Sequence, residues 1–218
     1  MSELRRRIEV EKIAAELESE VSELAFLLDR TPEELRELRT LITTAIFARH
    51  EERVRLIAGL SKRLPTALTA KIAESALGPV VSARIAGALD PSDAVKLAGH
   101  VSPEFLTQLS VALDPARVAP LVAEMPESLT IDVGRRMLAE GQLLVLGRFV
   151  SVVPTQTALA VLDGAEPAAL LQVALYADDA DAVARVAQAL PTETRAQLEA
   201  AADAAGPDTV AALHELVA

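Results

Sequence analysis

The sequence predicts an all-α protein, in which an N-terminal amphipathic helical hairpin is followed by an α-solenoid of short helical hairpins. Prolines recur about every twelve residues, capping side chains precede several of them, and apolar residues follow them at helical rather than alternating spacing. Apolar residues make up 51% of the chain but aromatics only 2%. Most of the apolar side chains are therefore small and aliphatic, which suits the close approach of helices.

The proline series marks where helices begin. Prolines stand at 65, 79, 91, 103, 115, 126, 154, 167, 191 and 207, with Pro120 out of step. Proline is tolerated in the first helical turn because an N–H there has no partner within the helix. Asp90, Ser102 and Asp114 each stand directly before a proline and are typical N-caps. The two widest gaps between successive prolines are each predicted to contain a turn without proline, at Gly141 and at Asp179.

This spacing leaves helices of about nine or ten residues. Isolated helices shorter than about 12–15 residues are marginal in water, so these must pack on one another. Two proline steps make one hairpin, which predicts about six stacked hairpins of about 24–26 residues in a repeat domain over residues 64–218. The alternative is an irregular helical bundle with proline-rich loops.

Residues 1–63 are predicted to form a separate charged helical hairpin. They carry 12 basic and 13 acidic residues, whereas the remainder carries 9 basic and 19 acidic residues. Residues 2–28 are expected to be one long helix, with Leu17, Val21 and Leu24 on a near-heptad apolar seam. The hairpin either caps one end of the solenoid or serves for dimerisation or docking.

The second helix of this hairpin has a clear start. Thr31, a proline and Glu34 form the pattern of a capping box. The apolar face that follows is predicted to include Leu41. The helix is expected to run to about Leu60 or to break near His50.

The most apolar stretch, residues 141–162, is interrupted by Arg148 with Phe149 beside it. It is interpreted as a buried helix pair at the centre of the solenoid. The alternative is a partly exposed groove for a partner helix or an acyl chain. Arg148 and Phe149 are the predicted contact residues of this stretch.

Acidic turns are the only candidate metal ligands. One turn holds Asp178, Asp179 and Asp181, and another holds Asp163 and Glu166. Oxygen ligands suit Mg²⁺ or Ca²⁺. Neither turn has the calcium-loop pattern, however, and aspartates in turns commonly cap helices. We therefore predict neither a resident metal nor a cofactor.

Composition excludes several classes of function. The chain has no cysteine, and its three histidines lie outside any metal-ligand or catalytic pattern. A net charge of −11 argues against nucleic-acid binding. No apolar run approaches the roughly 18 residues that a transmembrane helix needs. The charged N-terminus lacks the apolar core of a signal peptide, so a cytoplasmic location is expected.

The cadence "LDPSDAVKL" over Leu89–Leu97 resembles the cytosolic N-domain of MgtE-type magnesium transporters, and the resemblance covers roughly residues 64–205. It implies a right-handed superhelix of short helices. The sequence departs from that family in having no CBS region and no membrane segment. Many positions that are acidic near the turns of the transporter domain are Ala, Thr or Val here.

These observations predict a non-enzymatic protein–protein interaction module, a scaffold or regulatory adaptor with an unidentified protein partner. Residues 2–60 could also join two copies as a homodimer. One alternative is a carrier of a hydrophobic small molecule or lipid. A further alternative, implied by the resemblance, is a regulatory domain that responds to Mg²⁺.

Overall fold

The computed structural model describes residues 2–48, 51–61 and 63–217, and these ranges are helical with no strand among them. The N-terminal unit comprises α1 (Ser2–Leu17), a 3₁₀ helix (Val21–Asp29), α2 (Pro32–Ala48) and α3 (Glu51–Ser61). Twelve further helices follow: α4 (Thr66–Ile72), α5 (Gly78–Ala86), α6 (Pro91–Ala98), α7 (Pro103–Val111), α8 (Pro115–Glu124), α9 (Glu127–Ala139), α10 (Leu143–Phe149), α11 (Thr155–Leu162), α12 (Pro167–Tyr176), α13 (Ala180–Ala189), α14 (Thr192–Ala205) and α15 (Pro207–Val217). A π-helical segment, Ala73–Leu77, joins α4 to α5. The all-α prediction is confirmed.

The helices α4 to α15 form six hairpins whose spacing follows the proline series. Their first helices begin at residues 66, 91, 115, 143, 167 and 192. Four of the five steps between these starts are 24 or 25 residues, and one is 28. The longer step contains the turn at Gly141, whose φ is +72°.

Capping side chains fix where these short helices start. Ser102, Asp114 and Asp179 each accept a hydrogen bond from a backbone N–H two or three residues further on, at 3.0–3.3 Å. Each bond satisfies one amide that has no partner within its helix. The caps at Ser102 and Asp114 and the turn at Asp179 lie where the sequence predicts them, whereas Asp90 stands at the N-cap position of α6 without a side-chain cap hydrogen bond.

Alternate helices stack on one another in two layers. In one layer α3, α5, α7, α9, α11, α13 and α15 pack in succession. In the other, α4 packs on α6 and α6 on α8, while α10 packs on α12 and α12 on α14. The main core lies between the layers and extends from Leu106 to Leu213.

Small residues bring neighbouring helices close together, as the composition predicts. A Cβ added at Gly147 on α10 would lie 2.6 Å from the carbonyl oxygen of Val173 on α12. One added at Gly134 on α9 would lie 2.6 Å from a methyl group of Val161 on α11. Real Cβ atoms essentially never make such short contacts, so glycine is what permits these helix approaches.

The prediction of one helix over residues 2–28 is wrong. The chain leaves α1 after Leu17, and Glu18 adopts a φ of +52° before the 3₁₀ helix begins. This break lets Leu27 fold back onto Val10 in a small core that a straight helix could not close. Leu24 packs against the same core, whereas Leu17 and Val21 are 43% and 42% exposed, so the seam is not continuous.

The second helix begins as predicted. The Thr31 amide donates to a carboxylate oxygen of Glu34 at 2.9 Å, and the Glu34 amide donates to the Thr31 hydroxyl at 3.2 Å. The inward placement of Leu41 is wrong, because it is 61% exposed while Leu35 is fully buried. Six residues of helix turn Leu41 about 120° away from the face of Leu35. The predicted break at His50 falls outside the described residues.

Candidate functional site

A buried ion cluster fixes the N-terminal unit to the solenoid. Asp178, in the turn after α12, accepts from Lys12 Nζ on α1 and from Arg39 Nη2 on α2, both at 2.7 Å. Glu9 contacts the same two cations at 3.3 and 3.2 Å. Lys12 is only 1% exposed and Glu9 only 3%. Arg36 and Arg148 lie further out, 3.7 Å from Glu9 and 3.9 Å from Asp178. Glu9 and Lys12 are paired, as buried charges must be, while Asp178, whose side chain is 30% exposed, lies at the edge of the cluster.

Two more polar contacts continue the cluster along α1. Arg148 on α10 pairs with Glu16 at 2.7 Å, and its side chain is only 12% exposed. The Tyr176 hydroxyl on α12 donates to Glu11 at 2.7 Å. Burial, together with that hydrogen bond to a carboxylate, raises the pKa of Tyr176 above its ordinary range. Arg148, predicted as a contact residue, therefore faces α1.

The environment of Asp178 sets its protonation state. Burial raises the pKa of this carboxyl group, but attraction to Lys12 and Arg39 and their hydrogen bonds outweigh burial. The pKa of Asp178 is consequently held below its ordinary value. The group stays ionised at neutral pH and keeps both of its cations.

The candidate metal ligands do not converge. Asp178 is occupied by two cations, and Asp179 caps α13 through the amide of Ala182. Asp181, Asp163 and Glu166 are exposed. Across residues 2–48, 51–61 and 63–217, no three acidic or histidine side chains are grouped so that they could share a cation.

An apolar cavity of about 270 Å³ lies between the two helix layers. Its lining extends from Ile57 on α3 to Val173 on α12 and includes Phe149. None of the 35 lining residues is charged, and four carry a hydroxyl group. The apolar stretch over residues 141–162 supplies part of this wall as well as part of the core.

One of the four hydroxyl groups differs from the others. Thr69, Ser110 and Thr130 each donate to the carbonyl oxygen four residues earlier, at 2.8–3.4 Å. Ser82 on α5 is 6% exposed, and its buried Oγ has no hydrogen-bond partner among the described residues. Because an unpaired buried hydroxyl costs about 1–3 kcal/mol, Ser82 is the polar feature of this cavity that calls for an explanation.

A second, more polar cavity of about 190 Å³ lies on the opposite face of α5. Arg55, Arg84 and Arg117 line it together with Asp114, and Leu113 contacts both cavities. Cationic side chains therefore border the apolar cavity on this side of α5.

Only part of this site is predictable from the sequence. Phe149 is predicted from its place in the most apolar stretch. Ser82 is not, because serine is common in helices and only the fold shows that this one lines the cavity with a buried, unpartnered hydroxyl. Most of the lining comes from α4 to α9, where the apolar residues are also those expected of any repeat core.

No family model, curated protein or solved structure matches this chain. The resemblance to the transporter domain stays a prediction. No helix in the part of the chain that the structure describes is long and apolar enough to cross a membrane.

Replacing Asp178 by Asn tests the ion cluster. The substitution leaves two buried cations facing Glu9 alone. Breaking a buried pair costs about 3–5 kcal/mol, and because a third of the Asp178 side chain stays exposed, we expect a loss of about 2–3 kcal/mol in the free energy of unfolding. Urea denaturation measures it. The matched control, Asp181→Asn, is exposed and should change stability by less than about 0.5 kcal/mol.

The pH dependence of stability, compared between wild type and Asp178→Asn, gives a second test of the cluster. Because the folded pKa of Asp178 is lowered, its stabilising contribution is complete above the unfolded value of about 3.9 and is lost as pH falls through the folded value. The stability difference between wild type and Asp178→Asn should therefore be constant near neutral pH and shrink below about pH 4. A difference that persists unchanged into strong acid contradicts this assignment.

Proposed function

We propose that this protein binds and carries a hydrophobic small molecule with an aliphatic chain. The observation behind this proposal is the cavity of about 270 Å³, whose 35 lining residues include no charged side chain. Ligand pockets typically enclose about 300–1,000 Å³ and are mainly apolar. An aliphatic lining that is poor in aromatics offers apolar contact rather than ring stacking, which suits a flexible chain.

Size favours a small molecule over a partner helix inside this cavity. A helix with its side chains is about 10–12 Å wide, whereas packed helices lie about 8–10 Å apart, so a helix could enter between the two layers only by separating them. A peptide helix could therefore lie only across the opening. This is why we prefer the carrier to the interaction module as the primary function.

Energetics point in the same direction. Because the cavity reaches the surface, its apolar wall is accessible to water. An aliphatic chain that enters removes apolar surface from contact with water, which is favourable by about 25 cal/mol per Å².

The lining also favours one chemical class of ligand. Without a charged side chain in the wall, an ionised head group inside the cavity would be uncompensated. Ser82 lines this wall, and its buried Oγ, which has no partner, could pair with one neutral ligand oxygen if the side chain rotated towards the cavity. We therefore favour an aliphatic alcohol, ketone or ester over a fatty acid anion.

Filling the cavity should abolish binding without unfolding the protein. Ala94 on α6 lines the cavity and is 5% exposed. Ala94→Leu adds three carbons to the wall, and we expect the affinity for the neutral dye Nile red to fall by about tenfold or more. Fluorescence titration measures affinity and thermal melting checks folding. Ala168→Leu, on the exposed surface of α12, is the control and should bind as wild type does. Equal binding by both variants would contradict the proposal.

Ser82→Ala tests the polar contact. A neutral hydrogen bond contributes about 1 kcal/mol, so the affinity for a long-chain alcohol should fall about fivefold. The affinity for the alkane of equal chain length should not change, because it has no oxygen to pair. Displacement of Nile red by each compound provides both values. Without ligand the variant should be at least as stable as wild type, since it no longer buries an unpaired hydroxyl.

Self-association through the N-terminal unit is a second candidate, favoured by the exposure of Leu17 and Val21. If these side chains join two copies, light scattering should report a dimer for wild type and a monomer for Val21→Glu. Val80→Glu is the control, because Val80 is equally exposed, at 44%, but lies on α5. A wild-type protein that is monomeric at every concentration excludes this candidate.

A further inference from the structure

Exposed apolar side chains are concentrated in one part of this molecule. Eleven large hydrophobic residues of the described chain are substantially exposed, and all lie between Leu17 and Val81. Seven of them are on α3, α4, α5 and the turn before α4. We call these seven the apolar rim: Leu56, Ile57, Leu64, Leu68, Ile72, Val80 and Val81.

The apolar rim is continuous with the cavity. Ile57, Leu64 and Ile72 are exposed to solvent and also line the cavity, so the cavity reaches the surface among them. The other four rim residues do not line it. An apolar ligand entering here would pass from one aliphatic surface to another without crossing a charged wall.

The rim also lies in a basic segment of an acidic protein. Residues 49–84 contain 7 basic and 3 acidic residues, whereas the rest of the chain contains 14 basic and 29 acidic residues. The segment therefore carries a net charge of +4 and the remainder −15. Among the described side chains, Arg63 and Lys71 are exposed beside the rim.

We propose that the apolar rim docks on an anionic lipid bilayer, so that the hydrophobic ligand exchanges between the membrane and the cavity. Exposed aliphatic side chains insert into the boundary between head groups and acyl chains, and nearby Lys and Arg are attracted to anionic lipids. The acidic remainder is repelled by the same surface, which orients the rim towards it. This inference rests on the proposed carrier function.

Charge argues against a second copy of the chain as the occupant of the rim. A symmetric contact would place two segments of net charge +4 against each other. Like charges brought together oppose association. An anionic lipid surface has the opposite sign and needs no matching shape.

Vesicle flotation with the full-length protein tests the docking surface. The two probes are vesicles of phosphatidylcholine alone and vesicles that also contain phosphatidylserine. We expect binding to the anionic vesicles only, weakening as salt is added because screening shortens the reach of the attraction. Absence of binding, or equal binding to both vesicle types, overturns the proposal.

Matched variants locate the surface. Val80→Glu places a carboxylate on the rim without altering the cavity wall, and we expect vesicle binding to fall by about tenfold or more. Val21→Glu, at equal exposure on the N-terminal unit, should bind vesicles as wild type does. Lys71→Gln should weaken vesicle binding about fivefold, whereas Arg185→Gln, an exposed cation on α13, should not.

Two readouts separate this inference from the carrier function. Normal Nile red binding with no selective vesicle binding overturns the docking surface and leaves the carrier intact. Selective vesicle binding without Nile red binding supports docking and contradicts the carrier. If Val80→Glu alters the molar mass by light scattering but not vesicle binding, the rim is a protein interface and membrane docking is wrong.

Discussion

The ion cluster around Asp178 determines how the two parts of this protein are assembled. It joins α1 and α2 to the turn after α12, while α3 at the other end of the N-terminal unit packs on α5. Residues 2–61 therefore span the solenoid from its C-terminal half to its first hairpin. Buried ion pairs contribute little net stability compared with apolar packing, but breaking one is costly. The cluster thus holds α1 and α2 on the solenoid, while α3 packs on α5 and brings Ile57 to the cavity lining.

The cavity follows from how the repeat is built. Each hairpin contributes two short helices, and alternate helices stack in separate layers. Within a layer, glycines such as Gly134 and Gly147 draw successive helices together. Between layers, side chains as short as Ala94 fill the space less completely than aromatic residues would. Helices therefore pack closely within each layer, but the small side chains between the two layers leave a continuous apolar cavity.

The features that depend on residues close together in the chain could be predicted from the sequence. The caps at Ser102 and Asp114 and the capping box at Thr31 join residues two or three positions apart, and they are correct, as is the proline series that marks where helices start. The helix break at Glu18 was not predictable in this way, because the heptad pattern runs through it and the gain comes from folding Leu27 onto Val10. Likewise, Asp178 and Asp179 look equivalent in the sequence. One caps a helix, whereas the other pairs with Lys12, 166 residues away. Such pairings are set by the fold alone.

Charge, exposure and cavity combine into one physical argument for the proposed function. A molecule that prefers this cavity is sparingly soluble in water, so its main reservoir is a lipid phase, where each buried CH₂ gains about 0.8 kcal/mol. If the ligand had to pass through water on its way from the bilayer to the cavity, it would cross a free-energy barrier of that size for each CH₂. Placing the cavity opening within an aliphatic rim removes the aqueous step, because the ligand moves between two apolar surroundings. In this proposal, the net charge of −15 outside residues 49–84 confines contact with an anionic membrane to this one face.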